Sequence, residues 1–124
     1  MDNFTHNGFY IDVSNIVKDA KKYCGSPKSF HTDMTDFAKL AIGHYLEYGK
    51  FLGSRVKSGS DIFETYKERF IVGVWNTGTR DGYRIYYMIY KNNFIFCLVY
   101  IKAKCKIHNE TVFFQKIMKE RFLK

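Results

Sequence analysis

The second half of the chain spaces its cations by two. Lys67 and Arg69 are two apart, Lys102, Lys104 and Lys106 repeat the interval, and Arg80 and Arg84 lie between the groups. Tyr86, Tyr87 and Tyr100 are interleaved with them, and His108 follows. In an extended chain that interval sends alternate side chains to one face. Guanidinium and ammonium groups gathered on a face hold phosphates, and rings among them stack on unpaired bases at about 1–3 kcal/mol each. The same residue types suit cleavage of RNA without a metal. There the 2′-hydroxyl attacks the adjacent phosphate and negative charge collects on the phosphorane oxygens. That step needs a base, an acid and fixed positive charge between them. A lysine crowded by other cations can exchange a proton, a histidine does so unaided, and a tyrosine can also serve. Lys102 or Lys104 as base, with His108 or a tyrosine as acid, is the assignment these types allow.

Charge along the chain points to the same half. Residues 1–62 carry eight Lys/Arg against seven Asp/Glu, whereas residues 63–124 carry twelve against five. Nearly all of the net charge of +8 therefore sits in the second half. A field of that sign draws in polyanions. The alternatives are charge spread over a solvated face and an edge strand guarded by lysines. Arg84 speaks against the second, because its strand is expected to be central.

Other chemistries lack their residues. Glu64 and Glu68 are the nearest approach to paired carboxylates, and they lie among basic residues. Nucleophile-elbow, phosphate-loop and H-E-x-x-H zinc patterns are missing from the sequence. Cys24, Cys97 and Cys105 are odd in number and unpaired by spacing, and His6, His31, His44 and His108 show no ligand spacing with them. No metal or cofactor is expected, and the thiols read as buried or idle. The longest apolar run, Phe94 to Ile101, is too short for a membrane helix, and the opening residues lack a signal-peptide pattern. A soluble, cytoplasmic protein with no membrane partner is the expectation.

The elements that must position these residues are legible in outline. With 124 residues, 46% of them hydrophobic, the chain is expected to fold as one domain, 1–124. Phe9–Val13 alternates as a short strand. Ser14 or Asn15 is placed to cap a helix through Lys22, with Ile16, Val17 and Ala20 on one face. The Cys24-Gly25-Ser26-Pro27 break precedes a longer helix from about His31 to Asp33 through Tyr48. Its apolar positions are Phe37, Leu40, Ala41, His44 and Tyr45, with His44 read as a packed, hydrogen-bonded imidazole. A turn-rich connection with Gly49, Gly53 and Gly59 follows. Strands are then expected over Ile62–Phe70 and Ile71–Trp75, Tyr83–Tyr90, and Phe94–Lys102, with a polar loop over Asn76–Gly82. The last two strands are joined by a tight hairpin at Lys91-Asn92-Asn93. Asn109 should cap a final helix through Phe122. The expected class is α+β: an N-terminal helix pair on one face of a mostly antiparallel sheet of four to five strands, with a C-terminal helix.

The second half also resembles a known family. Tyr66-Lys67-Glu68-Arg69, the Gly-containing loop, Asp81-Gly82-Tyr83-Arg84-Ile85-Tyr86-Tyr87, and Val99-Tyr100-Ile101-Lys102 together look like the RelE/HigB branch of the RelE/ParE toxins. These belong to type II toxin–antitoxin modules. The likeness runs over roughly residues 9–120. It implies a RelE-like fold, ribosome-dependent cleavage of mRNA to a cyclic phosphate and a 5′-hydroxyl, and neutralisation by a small antitoxin, expected to carry a helix-turn-helix. Carried across, Lys67 and Arg69 fall on the basic strand, Arg80 on the loop cation and Arg84 on a phosphate-holding arginine. Tyr100 and Lys102 fall on the "Y-x-K" strand end. Lys104 and His108 have no counterpart and enter on chemistry alone, as do Tyr86 and Tyr87 as stacking rings. Two features depart from the pattern: the loop before Arg84 holds one Arg and an Asp, and Ile101 is bulky. A gyrase poison of the ParE kind and a cleavage-deficient RNA binder are the other readings.

Overall fold

The computed structural model describes residues 1–59, 62–74 and 78–122. Its centre is a hairpin of two long strands, β5 (Tyr83–Tyr90) and β6 (Asn93–Ile101). Seven successive residues of β5, Tyr83 to Ile89, are buried, so both faces of this strand are covered. A two-residue turn, Lys91-Asn92, closes the hairpin, with Lys91 at φ 53°. Strand β4 (Glu64–Phe70) and the short β3 (Ser54–Val56) extend the sheet beyond β5. On the other side β2 (Phe9–Asp12) lies parallel to β6, and β1 (Phe4–His6) completes the order β1-β2-β6-β5-β4-β3. The fold is α+β, with six strands where four to five were expected.

Both added strands were short enough to escape the alternation test. β1 pairs with β2 across Asn7-Gly8, whose φ values of 47° and 85° suit the primed turns of tight hairpins. That dipeptide was the readable signal for β1. β3 sits inside the expected turn-rich connection. Residues 71–74 form no strand, with a turn at Gly73 and Val74, and Trp75, Asn76 and Thr77 lie outside the described residues.

Helix α2 (Phe30–Tyr48) follows the expected span and ends on Gly49 in the left-handed conformation. Its buried face is rotated from the expected one. Met34, Phe37, Ala38, Ala41 and Ile42 are buried, while Leu40 is 54% exposed. His44 donates its Nδ1 proton to the Lys50 carbonyl at 2.6 Å. The expected first helix shrinks to the single turn α1 (Asp19–Lys22). Ser14 donates to Asp12 Oδ1 and Asn15 to the Phe96 carbonyl, so both candidate caps are engaged elsewhere.

The reason lies at the edge of β6. β2 pairs with it only over Asn93–Ile95, which leaves later backbone groups needing partners. The segment around α1 supplies them. Asp19 Oδ2 accepts from the Val99 amide at 3.1 Å, and the Tyr23 carbonyl accepts from the Ile101 amide at 3.0 Å.

The expected N-terminal helix pair is reduced to α2, because α1 is a single turn hydrogen-bonded to the edge of β6. α2 packs on the face carrying Tyr83, Ile85, Tyr87, Phe94, Phe96 and Val99. The C-terminal helix α3 (Glu110–Arg121) covers the opposite face, over Tyr86, Met88, Leu98 and Tyr100. Asn109 caps α3, its Oδ1 accepting from the Val112 amide at 3.0 Å. A bulge at Tyr86/Tyr87 places both Cys97 and Leu98 on the α3 side.

One ion pair ties these parts together. Arg121 near the end of α3 donates to both oxygens of the fully buried Asp19, at 2.8 and 3.1 Å, and to the Cys97 carbonyl at 2.7 Å. Truncating one partner leaves a buried charge uncompensated. Arg121→Ala should therefore lower unfolding free energy by about 3 kcal/mol, measured by urea denaturation at neutral pH.

Candidate nucleic-acid interface

Antiparallel register sets Arg69 of β4 beside Arg84 of β5, and Arg84 beside Tyr100 of β6, on the face that α3 covers. α3 does not reach the end of this row. There the sheet opens into a cleft of about 500 Å³ lined by Arg69, Arg80, Asp81, Arg84, Lys102 and Ala103. Two short 3₁₀ turns complete its walls, Thr79–Asp81 before β5 and Lys102–Lys104 after β6. Among the described residues, four cations from four elements thus face one opening, with one carboxylate among them.

Arg84 is only 5% exposed, and its guanidinium is used internally. Nη2 donates to the Arg80 carbonyl at 2.8 Å, and Nη1 to the carbonyls of Thr79 and Gly82 at 3.2 and 3.3 Å. These bonds hold the turn that carries Arg80 and Asp81. Gly82 is required there, because a Cβ at this position would collide with the Phe70 carbonyl oxygen. The glycine and the arginine two residues later therefore serve one purpose, fixing the loop against the ends of β4 and β5.

Lys102 reaches the cleft but is shared. Its Nζ lies 3.0 Å from Glu110 Oε1, and Lys67 Nζ lies 2.7 Å from Glu110 Oε2. Lys67 also stands 5.6 Å from the centre of the Tyr86 ring. Burial alone favours the neutral amine form of Lys67, but the Glu110 carboxylate and the Tyr86 phenol outweigh it and raise its pKa. Lys67 is thus no lowered-pKa base. Among the described residues neither Arg69 nor Arg80 forms an ion pair, and both are exposed.

No family model, no curated protein and no solved structure matches this chain. What the cleft can do rests on its own residues.

Several candidates fall outside it. Tyr87 points to the α2 face, is fully buried, and donates its hydroxyl to the Leu52 carbonyl, so it stacks on no ligand. Tyr100 is on the cationic face but has no exposed surface. Burial, reinforced by a hydrogen bond with the Tyr86 hydroxyl at 3.4 Å, pushes its phenol far above the usual range. Tyr86 is 2% exposed and packs its ring on Phe114 at 4.3 Å. The expected row of lysines is broken by the 3₁₀ turn, in which residues two apart diverge. Lys102 lines the cleft, Lys104 lays its methylene stem against Gly25, and Lys106 and His108 are exposed outside the lining.

Two acids were missed in reading the sequence as a site. Asp81 lines the cleft. Glu110 was legible as a first-turn acid of α3, but its reach to Lys67, forty-three positions away, is a product of the fold. Burial favours its neutral form, yet the ammonium groups of Lys67 and Lys102 win and lower its pKa from 4.5 to about 2. A depressed carboxylate contributes stability above its unfolded value and loses it as pH falls through the folded one. The Glu110 contribution should therefore be whole above pH 4.5 and fade toward about pH 2. Side-chain NMR should find the wild-type Glu110 midpoint near that lower value, and a Lys67→Ala, Lys102→Ala variant should return it to the ordinary carboxylate range.

Proposed function

We propose that the protein is an RNA-directed toxin of the RelE/HigB kind, a metal-independent endoribonuclease that cuts mRNA on the ribosome and so inhibits translation. The observation that carries this reading is the convergence of Arg69, Arg80, Arg84 and Lys102 on one cleft. The element order after β3, with basic strand, Gly-Arg loop and Lys-ended strand meeting in one place, supports the RelE-like comparison. Such a toxin acts in the cytoplasm, engages ribosome and mRNA, and is held in check by a small antitoxin protein.

In this reading Arg69 and Arg80 take the non-bridging phosphate oxygens, as exposed guanidiniums able to bind bidentately. Arg84 acts through the loop it fixes. The 2′-oxygen attacks phosphorus and the bond to the 5′-oxygen breaks, which leaves a cyclic phosphate and a 5′-hydroxyl. One proton must leave the 2′-hydroxyl and one must reach the 5′-oxygen. Asp81 and Lys102 are the proton-exchanging side chains that line the cleft. Tyr100, Lys104 and His108 take no such part in this arrangement, since none lines it.

A binding-only reading has this in its favour: among the described residues no imidazole lines the cleft, and the row's two tyrosines, Tyr86 and Tyr100, are buried. An in vitro translation assay with primer-extension mapping separates the two. Wild-type protein should cut mRNA only when ribosomes are engaged. Arg69→Ala with Arg80→Ala should reduce cutting at least about a hundredfold, two lost charge-assisted contacts at roughly 1.5 kcal/mol each, while circular dichroism stays unchanged. Translation arrest with intact mRNA would leave binding alone. Arg84→Ala should also lose about 2 kcal/mol of stability in urea denaturation, because its hydrogen bonds to three loop carbonyls are lost.

A further inference from the structure

Helix α2 turns one face away from the sheet. At 3.6 residues per turn, Lys39, Leu40, Leu46 and Glu47 all fall within about 60° of Gly43, on the side away from the buried Phe37, Ala38, Ala41 and Ile42. Leu40 and Leu46 are 54% and 56% exposed. Lys39 and Glu47 are exposed too, and neither forms an ion pair among the described residues. The fold of a single chain does not account for Gly43. It lies mid-helix with no positive φ, where glycine is less favourable than alanine. A Cβ there would meet nothing within 4 Å, so no neighbour in the chain requires its absence. Bare backbone at the centre of an exposed helix face is what lets a second helix approach closely.

The pattern about Gly43 is symmetric in shape and opposite in charge. Leu40 stands three residues before it and Leu46 three after, whereas Lys39 stands four before and Glu47 four after. Asp36 and Lys50 repeat the opposition seven residues out, Lys50 just past the helix end. We infer that this face is the interface of a homodimer, in which α2 of two copies crosses antiparallel at Gly43. A two-fold axis there sets Leu40 against the partner's Leu46 and Lys39 against the partner's Glu47, and each contact occurs twice. That self-complementarity selects a second copy as the occupant. In a chain of net charge +8 these four charged residues sum to zero, so two copies can meet here without like-charge repulsion. The cationic cleft opens on the α3 side of the sheet, so the inference does not depend on what the cleft binds. A two-helix contact lies at the small end of interface sizes, which places its dissociation constant in the micromolar range.

The test is sedimentation equilibrium on the full chain at low salt, over a concentration series that spans the micromolar range. Wild type should move from 14.7 kDa toward twice that mass as concentration rises. Gly43→Gln, whose side chain meets open space in the single chain, should stay monomeric throughout while helical circular dichroism is retained. Lys39→Glu and Glu47→Lys should each weaken association by about tenfold, because each sets like charges across both contacts. Mixed in equal amounts, those two variants should associate again, since every facing pair is then opposite in sign. Wild type that stays monomeric at all concentrations overturns the inference, whatever else covers α2. A dimer that survives Gly43→Gln, or a mixture no tighter than its two components, also overturns it and places the contact on another surface.

Discussion

Burial of the β5–β6 hairpin on both faces is the constraint from which the rest of the molecule follows. A strand covered on one side tolerates charge on the other, but β5 has no free side between Tyr83 and Ile89. Arg84 is the one charged residue in that run. Its guanidinium cannot leave water without partners, so three loop carbonyls must come to it. The cost of an unpaired buried cation therefore fixes the 79–82 turn over the end of the sheet, and the cleft exists because that turn is fixed. A parallel case occurs on the far side. Asp19 is buried against the edge of β6, and the need to satisfy its carboxylate draws in Arg121 and anchors α3.

Charge in the cleft is divided between holding the protein together and facing outward. Glu110 claims Lys67 and shares Lys102, so the first turn of α3 is pinned to β4 and to the turn after β6. Arg84 is committed to the loop. Arg69 and Arg80 remain as exposed guanidiniums with no ion pair among the described residues. The side chains most able to meet an anion therefore sit on backbone held by others, Arg80 by the Arg84 guanidinium and Arg69 by the β4–β5 ladder. An arrangement of this kind binds without first breaking the bonds that shape it.

The sequence made the long elements visible and left the short ones hidden. β5, β6, α2 and α3 have enough residues for periodicity to speak, and the Asn109 cap was legible as a side-chain type in the right place. β1 and β3 have three residues each, too few for any period. The helix expected after Ser14 fails because tertiary demand at the β6 edge outweighs weak local propensity. Alternation correctly groups Lys67, Arg69, Arg84, Tyr86 and Tyr100 on one side. It cannot say which of them α3 covers, and so it offered Tyr86 and Tyr100 as accessible rings. The lysine row at 102–106 fails for a local reason, since the chain leaves extended geometry at Lys102. Tyr87 fails on parity alone, being one residue from Tyr86 and hence on the other face.

The proposed function stands on guanidinium and ammonium groups of separate elements acting as a single receptor for a nucleic-acid phosphate. Arginine side-chain NMR resonances, followed during titration with a short single-stranded RNA at low salt, report on it residue by residue. Nε–H signals of Arg69 and Arg80 should move first and saturate together, with Arg84 following through the loop and Arg55 and Arg121 unmoved. Shifts that appear at Arg55 or Arg121 while Arg69 and Arg80 stay still would contradict it.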